Sequence, residues 1–361
     1  MNIQISNSSE NSIKNNRLAK NTSLLYIRMM VVMIINLYTV RLVLNALGIE
    51  DYGIFNVIAG IITVLVSVSS VLQTATQRYY SYSIGKSRLE YLQTIFSASI
   101  YIYAILSIII IILGETVGLW FVNTQLLIPD DRMYAANWIY QFSIFSFIAT
   151  IMHIPYSAAT IAHENMGYFA LISTAESVLK LIAVILIAFI SLDSLIVYGA
   201  GLFLISILVL ISYIVIGHLK YAECRYKKIT DKNLFKELLS FSGWSLFGSV
   251  AGVGMSQVNT ILTNIYFGPL VNGARAISFQ FNQAMSSFAS SFLMAIRPSM
   301  TKSYAEESYL YLNNIFNLSN KFIYYCLLII FLPLMFEMNI ILSFWLGETD
   351  PQTVLFSRLI L

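Results

Sequence analysis

Charge is scarce in this chain. Only 11% of its 361 residues are Asp, Glu, Lys or Arg, against about 25% in an ordinary soluble domain, so a water-soluble globule is excluded. Cysteine is nearly absent too. Cys224 lies in a polar stretch and Cys326 far away in an apolar run, which leaves no disulfide framework and no metal-binding cysteine set. Histidine occurs three times: His153 just before Pro155 at an inner helix end, and His163 and His218 in inner loops, all read as ordinary interfacial residues. There is no strand-linked phosphate loop, no paired cysteine motif and no nucleophile elbow, and no outer loop exceeds about twenty residues. The reading is therefore not an enzyme, with no cofactor and no metal. The first twenty residues, with Asn2, Asn7, Asn11, Asn15 and Asn16, lack the apolar core and cleavage site of a signal peptide. A net charge of +3 gives no reason to expect nucleic acid.

What fills the chain is apolar: 58% of the residues are hydrophobic, with 23 Phe and 23 Tyr. They come in continuous runs at 24–47, 53–76, 92–113, 133–153, 168–190, 194–217, 238–266, 270–296 and 322–345, and a tenth begins near 353. Runs of about twenty residues suit helices through a bilayer core, whereas barrel strands alternate over about ten. The expected fold is an all-α polytopic membrane protein.

Orientation follows from the basic residues. With the N-terminus cytoplasmic, fifteen Lys and Arg fall on the inner side, in groups that begin at Lys14, Arg78, Lys220 and Arg297, and only Arg132 falls outside. That asymmetry is the positive-inside pattern. Trp120, Trp138 and Trp345 lie near outer ends, where interfacial anchors belong.

Internal repetition is visible as well. Tyr91–Ser99 (YLQTIFSAS) and Tyr311–Ser319 (YLNNIFNLS) share Tyr, Leu, Ile, Phe and Ser at an offset of 220, and the same offset carries Gly48 and Gly53 onto Gly268 and Gly273. Six spans per unit is an even number, so the units run parallel, related by an axis along the membrane normal, as in duplicated transporters. The expected division is a cytoplasmic tail at 1–23, a first six-helix bundle at 24–235 and a second at 236–361. The offset carries 133–153 past Leu361, so the second bundle is expected to be truncated.

A cation at the centre of a membrane helix costs about 2.5–3.5 kcal/mol, so it faces a cavity or a partner. Arg28 and Arg41 share the first span but stand about 220° apart around an ideal helix, and one lumen cannot receive both. For Arg28, near the inner end, snorkelling is the plain alternative. Glu176 and Lys180 have the spacing of a helical ion pair, with a coupling-ion site as the second reading. Arg275 opens a polar face with Ser278, Asn282 and Ser286, and Gln280, Gln283, Ser287 and Ser291 form a stripe beside it. Such faces are helix–helix glue or the wall of a water-filled cavity. In the seventh span Ser245, Gly248, Gly252 and Ser256 suit close packing, while Gln257, Thr260 and Asn264 lie on a face that would line the lumen.

The sign within the spans is positive: Arg28, Arg41, Lys180 and Arg275 stand against Glu176 and Glu337. A fixed cation in low dielectric favours an anionic substrate, a phosphate above all, where a carrier of lipophilic cations needs the reverse. The candidate substrate contacts are Arg28, Arg41, Arg275, Gln257, Gln280, Asn282 and Gln283.

Three stretches carry a family resemblance. Leu42–Val57 (LVLNALGIEDYGIFNV) and Ala75–Tyr80 (ATQRYY) resemble the ends of the first and second helices of bacterial polysaccharide and O-antigen (Wzx-type) flippases. Phe241–Gly248 (FSGWSLFG), with Phe267–Arg275 (FGPLVNGAR), is similar to their seventh and eighth helices. The resemblance implies the multidrug/oligosaccharidyl-lipid/polysaccharide exporter superfamily, with two MATE-like six-helix bundles that open alternately to either side. It implies that an undecaprenyl-diphosphate-linked glycan moves from the cytoplasmic to the periplasmic leaflet of the bacterial inner membrane, driven by H+ or Na+. Membrane lipid and polysaccharide polymerase or assembly proteins are the implied partners, and Arg28, Arg41 and Arg275 would hold the diphosphate. A multidrug/cation antiporter of the same fold would want lumenal carboxylates that are largely missing. A membrane polysaccharide polymerase or glycosyltransferase would want a long outer loop with catalytic residues, and a non-transporting scaffold leaves the polar stripes unexplained.

Overall fold

The computed structural model describes the backbone of residues 2–87, 89–126, 128–187, 189–227, 232–346 and 351–361, and their side chains except in stretches that include 2–15, 59–68 and most of 232–281. Among the described residues there is no strand. The helices are α1 (Asn2–Gly85), α2 (Leu89–Leu113), α3 (Leu119–Thr124), α4 (Met133–Ala162), α5 (Met166–Ile187), α6 (Ser194–Lys220), α7 (Lys232–Ala305), α8 (Tyr309–Phe336), α9 (Met338–Leu346) and α10 (Pro351–Ile360), with a π-helical turn, Gly114–Gly118, between α2 and α3. Six described segments are long and apolar enough to cross a membrane: Asn16–Gly48, Glu90–Thr124, Met133–Ala162, Met166–Ile187, Ser194–Lys220 and Tyr309–Phe336. The expected multi-span helical class is what the structure has.

Local sequence explains most boundaries. No Pro or Gly precedes Gly48, so α1 runs unbroken through the polar residues before the first span. Gly48 has φ 79° and ψ 170°, a conformation essentially restricted to glycine, and it separates the first two spans where the gap between 47 and 53 placed a turn. The fourth span was expected to end at 153, but α4 continues to Ala162 with Pro155 inside it. Proline removes one backbone donor. The helix persists because the next turns are small and packed, with Ser157, Ala158, Ala159, Thr160 and Ala162 all buried. His153 is thus inside a helix, not at its end. The run at 322–345 is likewise two helices: α8 begins earlier, at Tyr309, and stops just after Pro333, where the Glu337 N–H closes on the Pro333 carbonyl at 2.9 Å.

The chain divides into two compact units, Ser23–Ser249 and Met1–Thr22 with Val250–Leu361. In the first, one apolar cluster gathers around Val43, Leu47, Ile54, Ile139, Tyr140 and Tyr198, at the Gly48 end of the helices. A second gathers around Tyr80, Phe96, Tyr103, Ile154, Tyr156 and Tyr213, at the Gly85 end. Tyr140 reaches the π-turn, where its hydroxyl donates to the Gly114 carbonyl at 2.8 Å; a Cβ on Gly118 would lie 1.9 Å from that hydroxyl, so only glycine admits the tyrosine. Ile108, Ile112, Leu204, Leu208, Ile211 and Val215 are exposed, as a lipid-facing surface requires. In the second unit, Met338, Leu342 and Val354 pack α9 on α10, and Phe292 of α7 stacks on Phe322 of α8 at 5.0 Å.

Candidate functional site

The first unit carries polar groups at both ends and in its interior. At the Gly48 end stands Arg132, at the N-cap position of α4. Its Nε donates to Asp51 Oδ1 at 2.7 Å, its Nη2 pairs with the other Asp51 oxygen, and its Nη1 donates to Asp193 Oδ2 at 2.6 Å. Asp193 also caps α6, accepting from the Leu195 N–H at 3.0 Å and the Ile196 N–H at 3.2 Å. The Asp193 hydrogen bond, aided by Asp51, raises the Arg132 pKa against the effect of burial. Burial alone would raise Asp193; the bond from Arg132 and the two backbone N–H groups hold it below the usual carboxylate range.

At the Gly85 end, His163 from the α4–α5 turn pairs with Glu223 and stacks on Tyr221, ring centroids 4.8 Å apart. Asn165 Nδ2 donates to the Tyr221 hydroxyl at 2.8 Å, Gln93 Nε2 to the Ala222 carbonyl at 3.2 Å, and the Lys227 N–H to Ser97 Oγ at 2.8 Å. Residues 221–227, which lead out of α6, are therefore strapped across α2 and the α4–α5 turn. Burial pushes Glu223 up, and the His163 hydrogen bond, the backbone N–H of Glu223 and the electrostatic pull of His163 together outweigh it, leaving its pKa lowered. Burial pushes the Cys224 thiol up.

Between these ends lies a cluster drawn from α1, α4, α5 and α6. Ser173 gives its proton to the Phe169 carbonyl at 2.8 Å, and its oxygen accepts from Arg28 Nε at 2.6 Å. The Arg28 guanidinium lies 4.8 Å over the Phe169 ring, and among the described residues Nη1 and Nη2 donate no hydrogen bond. Glu176 and Lys180 form an ion pair at 2.6 Å, as their spacing allows. Glu176 remains within electrostatic range of Arg28, Tyr213 and His153. His153 meets Tyr213 edge to face at 4.9 Å, and its Nδ1 is sealed from solvent with no hydrogen-bond partner. Tyr213 precedes the end of α6 at Lys220 by two turns, so the cluster sits about 10 Å inside that end.

The other candidates have different surroundings. Arg41 is exposed and makes no hydrogen bond or ion pair among the described residues. The Arg275 guanidinium lies 4.5 Å over the Phe279 ring. Ser278 and Asn282 face α10: Ser278 Oγ is 3.0 Å from Ser357 Oγ, and Asn282 Nδ2 donates to the Ile360 carbonyl at 3.3 Å, so this face serves as helix packing. Gln283, Ser286, Ser287 and Ser290 are exposed. Gln257 and Gln280 lie outside the residues whose side chains are described, as do Thr260 and Asn264. Among the described residues no three His, Cys, Asp or Glu converge on a metal site. His153 is the interior residue that sequence reading missed; the small-residue run from Ser157 to Ala162 was the sign that α4 continues past Pro155.

A family model described as polysaccharide biosynthesis protein matches residues 18–304. The sequence matches no curated protein. Among solved structures, the chain is similar to an outward-facing multidrug resistance MATE family transporter of the MOP superfamily, with TM-score 0.77 and 12% identity over 95% of this chain and 77% of that one. It is also similar to a MATE transporter of Vibrio cholerae in its bent form, with TM-score 0.75 and 17% identity over 97% and 79%. A third is a MOP superfamily transporter of Pyrococcus furiosus, described as having a binding pocket of reverse polarity that suggests a different function, with TM-score 0.73 and 12% identity over 95% and 77%. At these identities the likeness is one of fold, and that fold is MATE-like.

Proposed function

We propose a function from one premise: the chain belongs to the polysaccharide biosynthesis protein family, and it is a multi-span membrane transporter with a MATE-like fold. Its cargo in this reading is an oligosaccharide carried on undecaprenyl diphosphate. Alternating access turns it from the cytoplasmic to the periplasmic leaflet of the bacterial inner membrane, with an H+ or Na+ gradient as the drive and polysaccharide polymerase or assembly proteins downstream. The family match over residues 18–304 carries the reading.

The charge of the interior supports an anionic headgroup. Arg28 is held by one edge and one face, on Ser173 and Phe169, which leaves the Nη fork for phosphate oxygens. Arg275 over Phe279 offers a stacked guanidinium in the second unit. Glu176, the carboxylate in range of Arg28, is already neutralised by Lys180, which argues against a cationic drug as cargo. Gln283 and its neighbouring exposed serines are proposed contacts for sugar hydroxyls, and Arg41, Gln257 and Gln280 remain proposed contacts.

Losing a hydrogen bond to a charged group costs about 1.5–3 kcal/mol, or about tenfold and more in affinity. Arg28→Ala and Arg275→Ala together should therefore lower surface glycan at least about tenfold, with membrane insertion unchanged. Lysine at both positions should recover part of the loss, since it keeps the charge without the fork. Wild-type glycan from the double alanine variant would refute the headgroup assignment.

A further inference from the structure

His153 has no part in the proposed cargo contacts, yet its setting is unusual for a membrane helix. The imidazole lies inside the first unit, and a sealed Nδ1 without a partner is a polar group whose need is unmet in this state. Ring contact with Tyr213 fixes its orientation without satisfying either nitrogen. Glu176 of α5 is the charged group whose field reaches it and Tyr213 of α6 is its ring neighbour, while Glu176 is itself bonded to Lys180 and lies within range of Arg28 from α1. These amount to two cations and one anion.

That balance limits what can be charged at once. Glu176 holds Lys180 directly, and its remaining field falls on Arg28, docked on the same helix through Ser173 and Phe169. A third cation would have to share one carboxylate with two others already beside it. In a low-dielectric interior, cations gathered on one carboxylate repel strongly.

We propose that His153 is a proton-binding site of the transporter, and that a proton on its imidazole competes with the Arg28 guanidinium for the field of Glu176. With Arg28 docked on Ser173 the imidazole is neutral. When hydronium gives its proton to the lone-pair nitrogen and leaves as water, the imidazolium takes the field of Glu176 and Arg28 is driven off Ser173. Conversely, returning Arg28 to Ser173 expels the proton. Proton occupancy and the position of Arg28 are thereby two readings of one equilibrium. The exchange concerns the chain alone and holds whatever the cargo is.

Residues 1–361 hold only three histidines, so the protein labelled with 15N-histidine in lipid nanodiscs gives three imidazole environments from this stretch, assignable with His153→Asn, His163→Asn and His218→Asn. The His153 signal should titrate reversibly between about pH 4 and 8. Arg28→Gln should raise its midpoint by about one pH unit or more, a tenfold gain in proton affinity, and Glu176→Gln should lower it. Ser173→Ala, which loosens Arg28 without removing its charge, should shift the midpoint upward by a smaller amount and provides the same test if Arg28→Gln fails to fold. A His153 signal that does not move across this range overturns the site. A midpoint indifferent to both Arg28→Gln and Ser173→Ala, or one not lowered by Glu176→Gln, overturns the competition. Failure of the cargo reading shows in surface glycan and leaves this titration untouched.

Discussion

Arg132 turns its whole donor edge to two carboxylates from different loops, and both partners are only partly exposed, at 15% for Asp51 and 29% for Asp193. Removing it leaves two anions facing each other. Hydrogen bonds to charged groups contribute about 1.5–3 kcal/mol each, and partial exposure reduces that, so Arg132→Ala should destabilise the first unit by about 2 kcal/mol. Arg132→Lys should recover less than half, because an ammonium cannot fork to both carboxylates. Thermal unfolding of the purified protein in detergent measures this, and an unshifted midpoint for Arg132→Ala would contradict it. The pH dependence has a definite sign. Asp193 is held below its ordinary range, so its contribution is complete above that range and is lost as the pH falls through the lowered value. In the sequence Arg132 stood out only as the lone outer cation. Its partners lie 81 and 61 residues away, and no local pattern encodes such pairing. Glu176 and Lys180 were legible because one helical turn joins them.

At the scale of elements, apolar runs placed the helices well and their ends less well, because ends depend on partners elsewhere in the fold. The strap at 221–227 reads in sequence as a polar, basic loop, yet four contacts with α2 and the α4–α5 turn hold it down. Its anchor, Glu223, is titratable. A lowered carboxylate pKa means that the pair with His163 contributes stability above the ordinary Glu value of about 4.3, and that this stability disappears as the pH falls through the folded-state value. Glu223→Gln should therefore speed amide hydrogen exchange across 221–227 near pH 7, after correction for intrinsic rates. The difference from wild type should vanish in acid, where Glu223 itself is protonated. Equal protection of the two proteins at pH 7 would mean that the bonds at Ala222 and Lys227 hold the strap without the His163–Glu223 hydrogen bond.

For the molecule as a membrane protein, the arrangement of loops in the first unit is informative. Asp51, Arg132 and Asp193, from the loops after the first, third and fifth spans, meet at one end, while His163, Glu223 and Lys227 meet Gln93 and Ser97 at the other. Odd and even loops on opposite ends are what six antiparallel crossings require, and that much follows from geometry without any reference to charge. The proposal that the strap end is cytoplasmic rests on charge alone: that end carries Arg225 and Lys227, whereas the other end has Arg132 already matched by two carboxylates. In a Cys224→Ser, Cys326→Ser background, Asp131→Cys and Lys227→Cys each place a thiol on an exposed residue. A membrane-impermeant maleimide added to intact cells should label the thiol at 131 and spare the one at 227 until the cells are opened. Labelling of 227 alone would invert the orientation and put the exposed cations on the side that the positive-inside pattern forbids. Labelling of both from one side would be incompatible with the alternation of the loops, and therefore with the fold of the first unit itself.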